Sequence, residues 1–161
     1  MSERELPVFT AADLESVAPF DVHSFTKEDA VDLGTIAVAL IRDRALDLAV
    51  DIVLRGDLVF RAKLGATGPG NDEWLAGKAA VARHFGVPSL LVRRRYEESG
   101  RVFADDTDPA LDHDVMKPHG GSVPILVSGE VVGTITASGE PDVLDHQAAS
   151  DAVAVYLARR P

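Results

Sequence analysis

Apolar and polar positions along this chain follow two periods, and each change of period marks out an element. Leu33, Ile36, Ala37, Leu40 and Ile41 recur at the spacing of one helix face. The start of that helix is set by Thr26, whose hydroxyl can cap. Glu28 and Asp29 favour the positive end of the helix dipole, and Asp29 stands where a capping box needs an acid. Upstream, Leu14 and Val17 follow Thr10 at helical spacing and read as a short capped helix. The period then falls to two. Leu48, Val50, Ile52 and Leu54 alternate with Ala49, Asp51 and Val53, and Leu58, Phe60, Ala62 and Leu64 alternate with Val59, Arg61 and Lys63. Arg55-Gly56-Asp57 between the two runs predicts a tight hairpin turn.

Helical spacing returns from Asn71, a good cap, to Phe85, and Gly86 with Pro88 stops it. A further helix is expected over Ser89–Glu98, and residues 104–118, acidic and rich in turn formers, read as an irregular loop. A second hairpin, Val123–Val127 with Val131–Ser138, turns at Ser128-Gly129-Glu130. Pro141 then suits the first turn of a last helix, which sends Leu144, Ala148, Ala152, Val155 and Tyr156 inward. Two hairpins separated by helices make an antiparallel sheet, and helices before, between and after them can cover both of its faces. The expected architecture is a three-layer α/β/α domain spanning 1–161, with 1–25 as an N-terminal extension.

Composition narrows the partners. A formal charge of −10 argues against nucleic acid, because a phosphate backbone calls for a basic surface. No apolar run is long enough to cross a bilayer, and the first residues do not read as a secretory leader. With no cysteine there are no disulfides or thiolate metal sites, which is compatible with the cytoplasm, the expected location. Arg93-Arg94-Arg95, followed by Glu97 and Glu98, reads as a solvated helix face rather than an anion site.

Two positions stand out for chemistry. Trp74, Lys78, Val81 and Phe85 share one helical stripe, with the lysine in its middle. A lysine held there must snorkel, find a carboxylate such as Asp51, or bind a ligand's negative group. His119-Gly120-Gly121 places a ring that titrates near neutral pH beside two residues that let backbone approach a ligand closely. His119 is therefore the candidate catalytic or ligating residue. His113 with Asp112 and Asp114 lacks a second histidine at metal-ligand spacing, so no metal site is assigned. Ser138-Gly139 lacks the leading glycine of a nucleophile elbow, and the loop Gly65–Gly70 lacks the lysine of a P-loop. The dipole of the last helix accounts for Asp145.

Asn71-x-x-Trp74-x-x-x-Lys78, His119-Gly120-Gly121-x-x-Pro124-Ile125, Ser138-Gly139 and Asp145-His146, in that order, resemble the GlcG/HbpS-like haem-degrading domain family. The pattern departs from the family at Val123, at Glu140 and at Val87-Pro88-Ser89. The resemblance implies a profilin-like α/β/α fold with a central antiparallel sheet of about five strands, and assembly into dimers or larger homo-oligomers. It also implies binding of haem or a similar small anionic molecule, with degradation attributed to relatives. Asn71, Trp74, Lys78, His119, Gly120 and Gly121 would then be the ligand-binding residues. Another reading makes the same residues an interface in a non-catalytic oligomeric module, since aromatic anchors favour interface centres. A third makes the protein an enzyme of a small organic acid whose carboxylate Lys78 binds.

Overall fold

Alternation along the strands decides how the layers stack in the computed structural model, which describes residues 4–160. The described elements are α1 (Ala11–Glu15), β1 (Asp21–Val22), α2 (Lys27–Asp43), β2 (Ala49–Leu54), β3 (Asp57–Lys63), α3 (Asn71–Phe85), α4 (Ser89–Glu98), β4 (Ser122–Val127), β5 (Glu130–Ser138) and α5 (Asp142–Arg159). The strands form one sheet in the order β1-β4-β5-β2-β3. Val50, Ile52 and Leu54 of β2, Val123 and Ile125 of β4, and Ile135 and Ala137 of β5 point to one face. There they form the main core with α2 and α5. The alternate positions Asp51, Ser122, Thr134, Thr136 and Ser138 are buried on the opposite face, under α3. Gly77, Ala79, Ala80 and Ala82 keep the buried side of α3 thin, and the space at Gly77 is taken by Val115 and Lys117 of the loop before β4. The result is the three-layer arrangement that the element order predicts.

Local signals hold where the physics is local. Thr26 caps α2 and Asp29 closes the box, and Thr10 with Asp13 does the same for α1. The two antiparallel hairpins turn on residue pairs with positive φ, Arg55 (51°) with Gly56 (79°) and Ser128 (50°) with Gly129 (82°). Turns of this hand match the twist of the strands they join.

Several expectations change. The sheet is not purely antiparallel: β1 pairs parallel with β4, Asp21 opposite Leu126. Two residues carry too little pattern to announce a strand. The segment read as an extension places Phe20 and Phe25 in the main core, where they meet Tyr156 edge to face. Asn71 is the first residue of α3 and not its cap, which is Gly70. Val155 on α5 is only half-buried while Val153 is buried, so the inward stripe sits slightly rotated from the expected one. Residues 104–118 are irregular apart from their first two residues, which complete one turn of 3-10 helix at Phe103–Asp105.

Candidate functional site

The site lies where the N-terminal ends of α3 and α5 meet the loop that leads into β4. A cavity of about 470 Å³ opens there, within the range of small-molecule sites. Asn71, Trp74, Lys78 and His119 line it, together with Arg93, Ser138, Glu140, Asp142 and Asp145. The structure thus gathers four of the six expected ligand residues directly around one space, and Gly120 and Gly121 adjoin it as the turn after His119.

The loop is held by its backbone. Lys117 N–H donates to Gly77 O (3.1 Å), and Gly120 N–H donates to Asp142 Oδ2 (2.8 Å). Arg93 Nη1 donates to the same carboxylate oxygen. Burial alone would raise the Asp142 carboxyl, but the Gly120 N–H and the Arg93 guanidinium outweigh it and hold it below the usual range. Gly121 has φ of 140°, and a Cβ on it would fall against Ala137 O and 3.0 Å from Lys78 Nζ. Only glycine lets the loop pass this close to β5.

Lys78 is buried at 2% exposure, and its Nζ donates to Ala137 O (3.0 Å) and Asp145 Oδ2 (2.7 Å). Asp51, one of the possible partners, instead takes Arg61, 2.9 Å away across the sheet. Register explains this, because Asp51 sits directly opposite Arg61 in the β2–β3 pair. Asp145 is likewise more than a dipole-favoured acid. It is 1% exposed, and Glu140 N–H donates to its second oxygen. Burial pushes the Asp145 carboxyl up to about 6, against the pull of Lys78.

His119 is half-buried. Its ring meets Trp74 edge to face with centroids 5.3 Å apart. Burial and the nearby positive charges of Arg93, Lys78 and Lys117 depress its pKa, so the imidazole is neutral at pH 7. Trp74 remains 40% exposed, with Lys117 Nζ 4.7 Å from its ring centre. The expected stripe on α3 is thus split, with Lys78 and Val81 inside and Trp74 at the cavity mouth. Asn71 accepts from Gly68 N–H and donates to Ser138 Oγ, tying the glycine-rich loop to the end of β5.

Sequence reasoning passed over Arg93 and Asp142. Arg93 was grouped with a solvated arginine run, of which Arg94 reaches Phe9 O and Arg95 reaches Glu15. The signal that could have found Asp142 is its spacing of three from Asp145, which sets two acids in one first turn. His113 contacts Asp106 O through its ring, and Asp112 accepts from the backbone N–H of Asp114. Among the described residues, no group of three or more histidine, cysteine or acidic side chains is placed to hold a metal ion.

Comparison with known proteins agrees with this frame. A UPF0303 protein of Streptomyces coelicolor is 39% identical over 134 residues, 83% of this chain and 84% of the relative. The crystal structure of the Ybr137w protein matches with a TM-score of 0.82 at 24% identity, over 95% of this chain and 90% of that one. A PduOC:heme complex matches at 0.68 and 18% identity, over 81% and 94% of the two chains. These two structures share the fold. Residues 25–154 match the family model described as haem degrading protein HbpS-like. The chain belongs to that HbpS-like family.

Proposed function

We propose that the Trp74–His119 cavity binds haem or a similar planar anionic molecule, with His119 as its ligating or proton-handling residue. The observation that carries this reading is the half-buried imidazole of His119, set in the cavity wall against the edge of Trp74. Only an unprotonated ring nitrogen can ligate iron, so the donor chemistry of His119 fits a haem. The family supports the same ligand, and a fold relative has been crystallised as a heme complex. Bound haem would supply an iron centre for ligand or oxygen chemistry. The chain's own part is to present His119, to cover one side with the indole of Trp74 and to meet carboxylates with Lys117. Lys78 and Arg93 line the same space, but their charges are already matched by Asp145 and Asp142. A ligand carboxylate would share those cations and would not find them free. Asn71, Gly120 and Gly121 shape the wall and hold the loop. The test is a Soret titration of the purified protein. A saturable, near-stoichiometric band shift that is lost in His119→Ala is the expected result. No saturable shift would overturn haem binding, and an unchanged band in the variant would overturn ligation by His119.

A second reading places another copy of this chain over the same face. It is favoured by the exposure of Trp74 (40%) at the cavity mouth, since exposed aromatics anchor interface centres. Light scattering that shows a homo-oligomer dissociating in Trp74→Ala, with haem binding absent, would select this reading.

A further inference from the structure

A second cavity, of about 400 Å³, lies on the far side of α4 and belongs to none of the chemistry above. The segment Leu14–Phe20, the α3–α4 turn at Val87, Leu91 of α4, Val123 of β4 and Val153 of α5 enclose it. His146, Ser150, Val153 and Leu157 recur on α5 at spacings of four, three and four and border this space, Val153 also reaching the main core. The walls are apolar except for His146 and Ser150, and the rim is crossed by the ion pair of Arg95 with Glu15 (3.2 Å). That pair is matched within itself and offers no net charge to a ligand.

His146 is the unusual member. It is 4% exposed, Phe9 meets its ring edge to face at 5.0 Å, and its Nδ1 is buried with no hydrogen-bond partner among the described residues. Burial depresses its pKa to about 4, so the ring is neutral at physiological pH. A buried polar group without a partner is destabilising unless something supplies one. The ring of His146 forms part of the wall of this cavity.

We infer that this cavity binds an uncharged, largely apolar molecule carrying a hydroxyl group, with His146 as the hydrogen-bond partner of that hydroxyl. The chemistry of the imidazole selects the class. A hydroxyl donates to a bare ring nitrogen or accepts from a protonated one, so it serves either tautomer. A ketone or ether serves only one of them. A carboxylate would bring a charge into apolar walls with no cation to meet it.

The test compares 1-naphthol with naphthalene by calorimetry and ligand-observed NMR on the full chain. The wild type should bind 1-naphthol about tenfold more tightly than naphthalene, the worth of one neutral hydrogen bond. In His146→Phe, which keeps a ring against Phe9, naphthalene should still bind and the preference for the hydroxyl should vanish. Ser150→Trp should fill the cavity and abolish binding of both probes, with far-UV circular dichroism and the melting transition confirming that the variant is folded. Three results would each overturn the proposal: a folded wild type that binds neither probe, a hydroxyl preference that survives in His146→Phe, or probes still bound in Ser150→Trp. If the wild type binds neither probe and self-associates until Ser150→Trp separates it, the cavity belongs to an interface between copies of this chain.

Discussion

Lys78 of α3 and Asp145 of α5 form an ion pair of 2.7 Å with side-chain exposures of 3% and 2%, and this pair joins the two helices that frame the candidate site. Asp145→Asn leaves a buried ammonium without its counter-charge and should cost about 3–5 kcal/mol of unfolding free energy. Lys78→Met combined with Asp145→Leu removes both charges and should cost clearly less than either single change. Urea denaturation of the double variant, of Lys78→Met and Asp145→Leu alone, and of Asp145→Asn checks this. A loss in the double variant equal to the sum of the two single losses would show that the pair is not energetically coupled.

The histidine in the second cavity sets a pH dependence. His146 is depressed to about 4 in the folded chain, against its ordinary value of 6.5. Below pH 6.5 the unfolded chain binds a proton there that the folded chain refuses, so this group's contribution to stability falls as pH drops from about 6.5 to about 4. Asp145, raised to about 6, acts with the opposite sign, since its burial favours the protonated form and adds stability as pH falls through that value. The effect of His146 is therefore read as a difference. Relative to wild type, His146→Phe should gain roughly 2–3 kcal/mol between pH 7 and pH 4.5. Parallel denaturation curves at the two pH values make the comparison, and a constant difference would contradict it.

The close pass of the loop at Gly121 gives a steric prediction. Gly121→Ala forces a Cβ onto Ala137 O and against Lys78, at φ of 140°. Gly100→Ala, at φ of 69° with nothing within 4 Å of the added atom, carries only backbone strain and should cost about 1–2 kcal/mol. Gly121→Ala should cost more than this control, and its thermal midpoint should fall further. It should also weaken ligand binding, because Gly120 and His119 move with it.

Trp74 is the single tryptophan of the chain and lies at the cavity mouth, so its emission reports occupancy directly. Saturating haem should quench most of that emission along one binding curve. Asp142→Asn weakens the acceptor that Gly120 N–H and Arg93 share, and should lower the affinity several-fold while leaving the fold intact. Quenching that rises linearly without saturation would show collision and not binding.

The elements were readable because their causes are local. Capping at Thr10 and Thr26, alternation around Ile52 and the turns at Gly56 and Gly129 each depend on a few neighbouring residues. The two-residue strand at Asp21 was not readable, since it exists only because β4 offers it an edge. At the site, Asn71, Trp74, Lys78 and His119 stand out as residues, but which carboxylate meets Lys78 is not legible. Asp51 and Asp145 are equal as carboxylates in a sequence. Register gives Asp51 to Arg61, and helix placement gives Asp145 to Lys78. Arg93 looked like one of three solvated arginines until the start of α5 was brought against it.

Period, capping and turn chemistry in the chain alone were enough to specify an α/β/α domain with two hairpins, and the ordered motifs pointed to its family. Folding decided which charges pair, that a neutral His119 meets Trp74 at a cavity, and that His146 is sealed among apolar walls without a partner. Hydrophobic period is carried by neighbours along the chain. Ion pairing, desolvation and the shape of a cavity depend on residues dozens of positions apart, which only tertiary packing brings together.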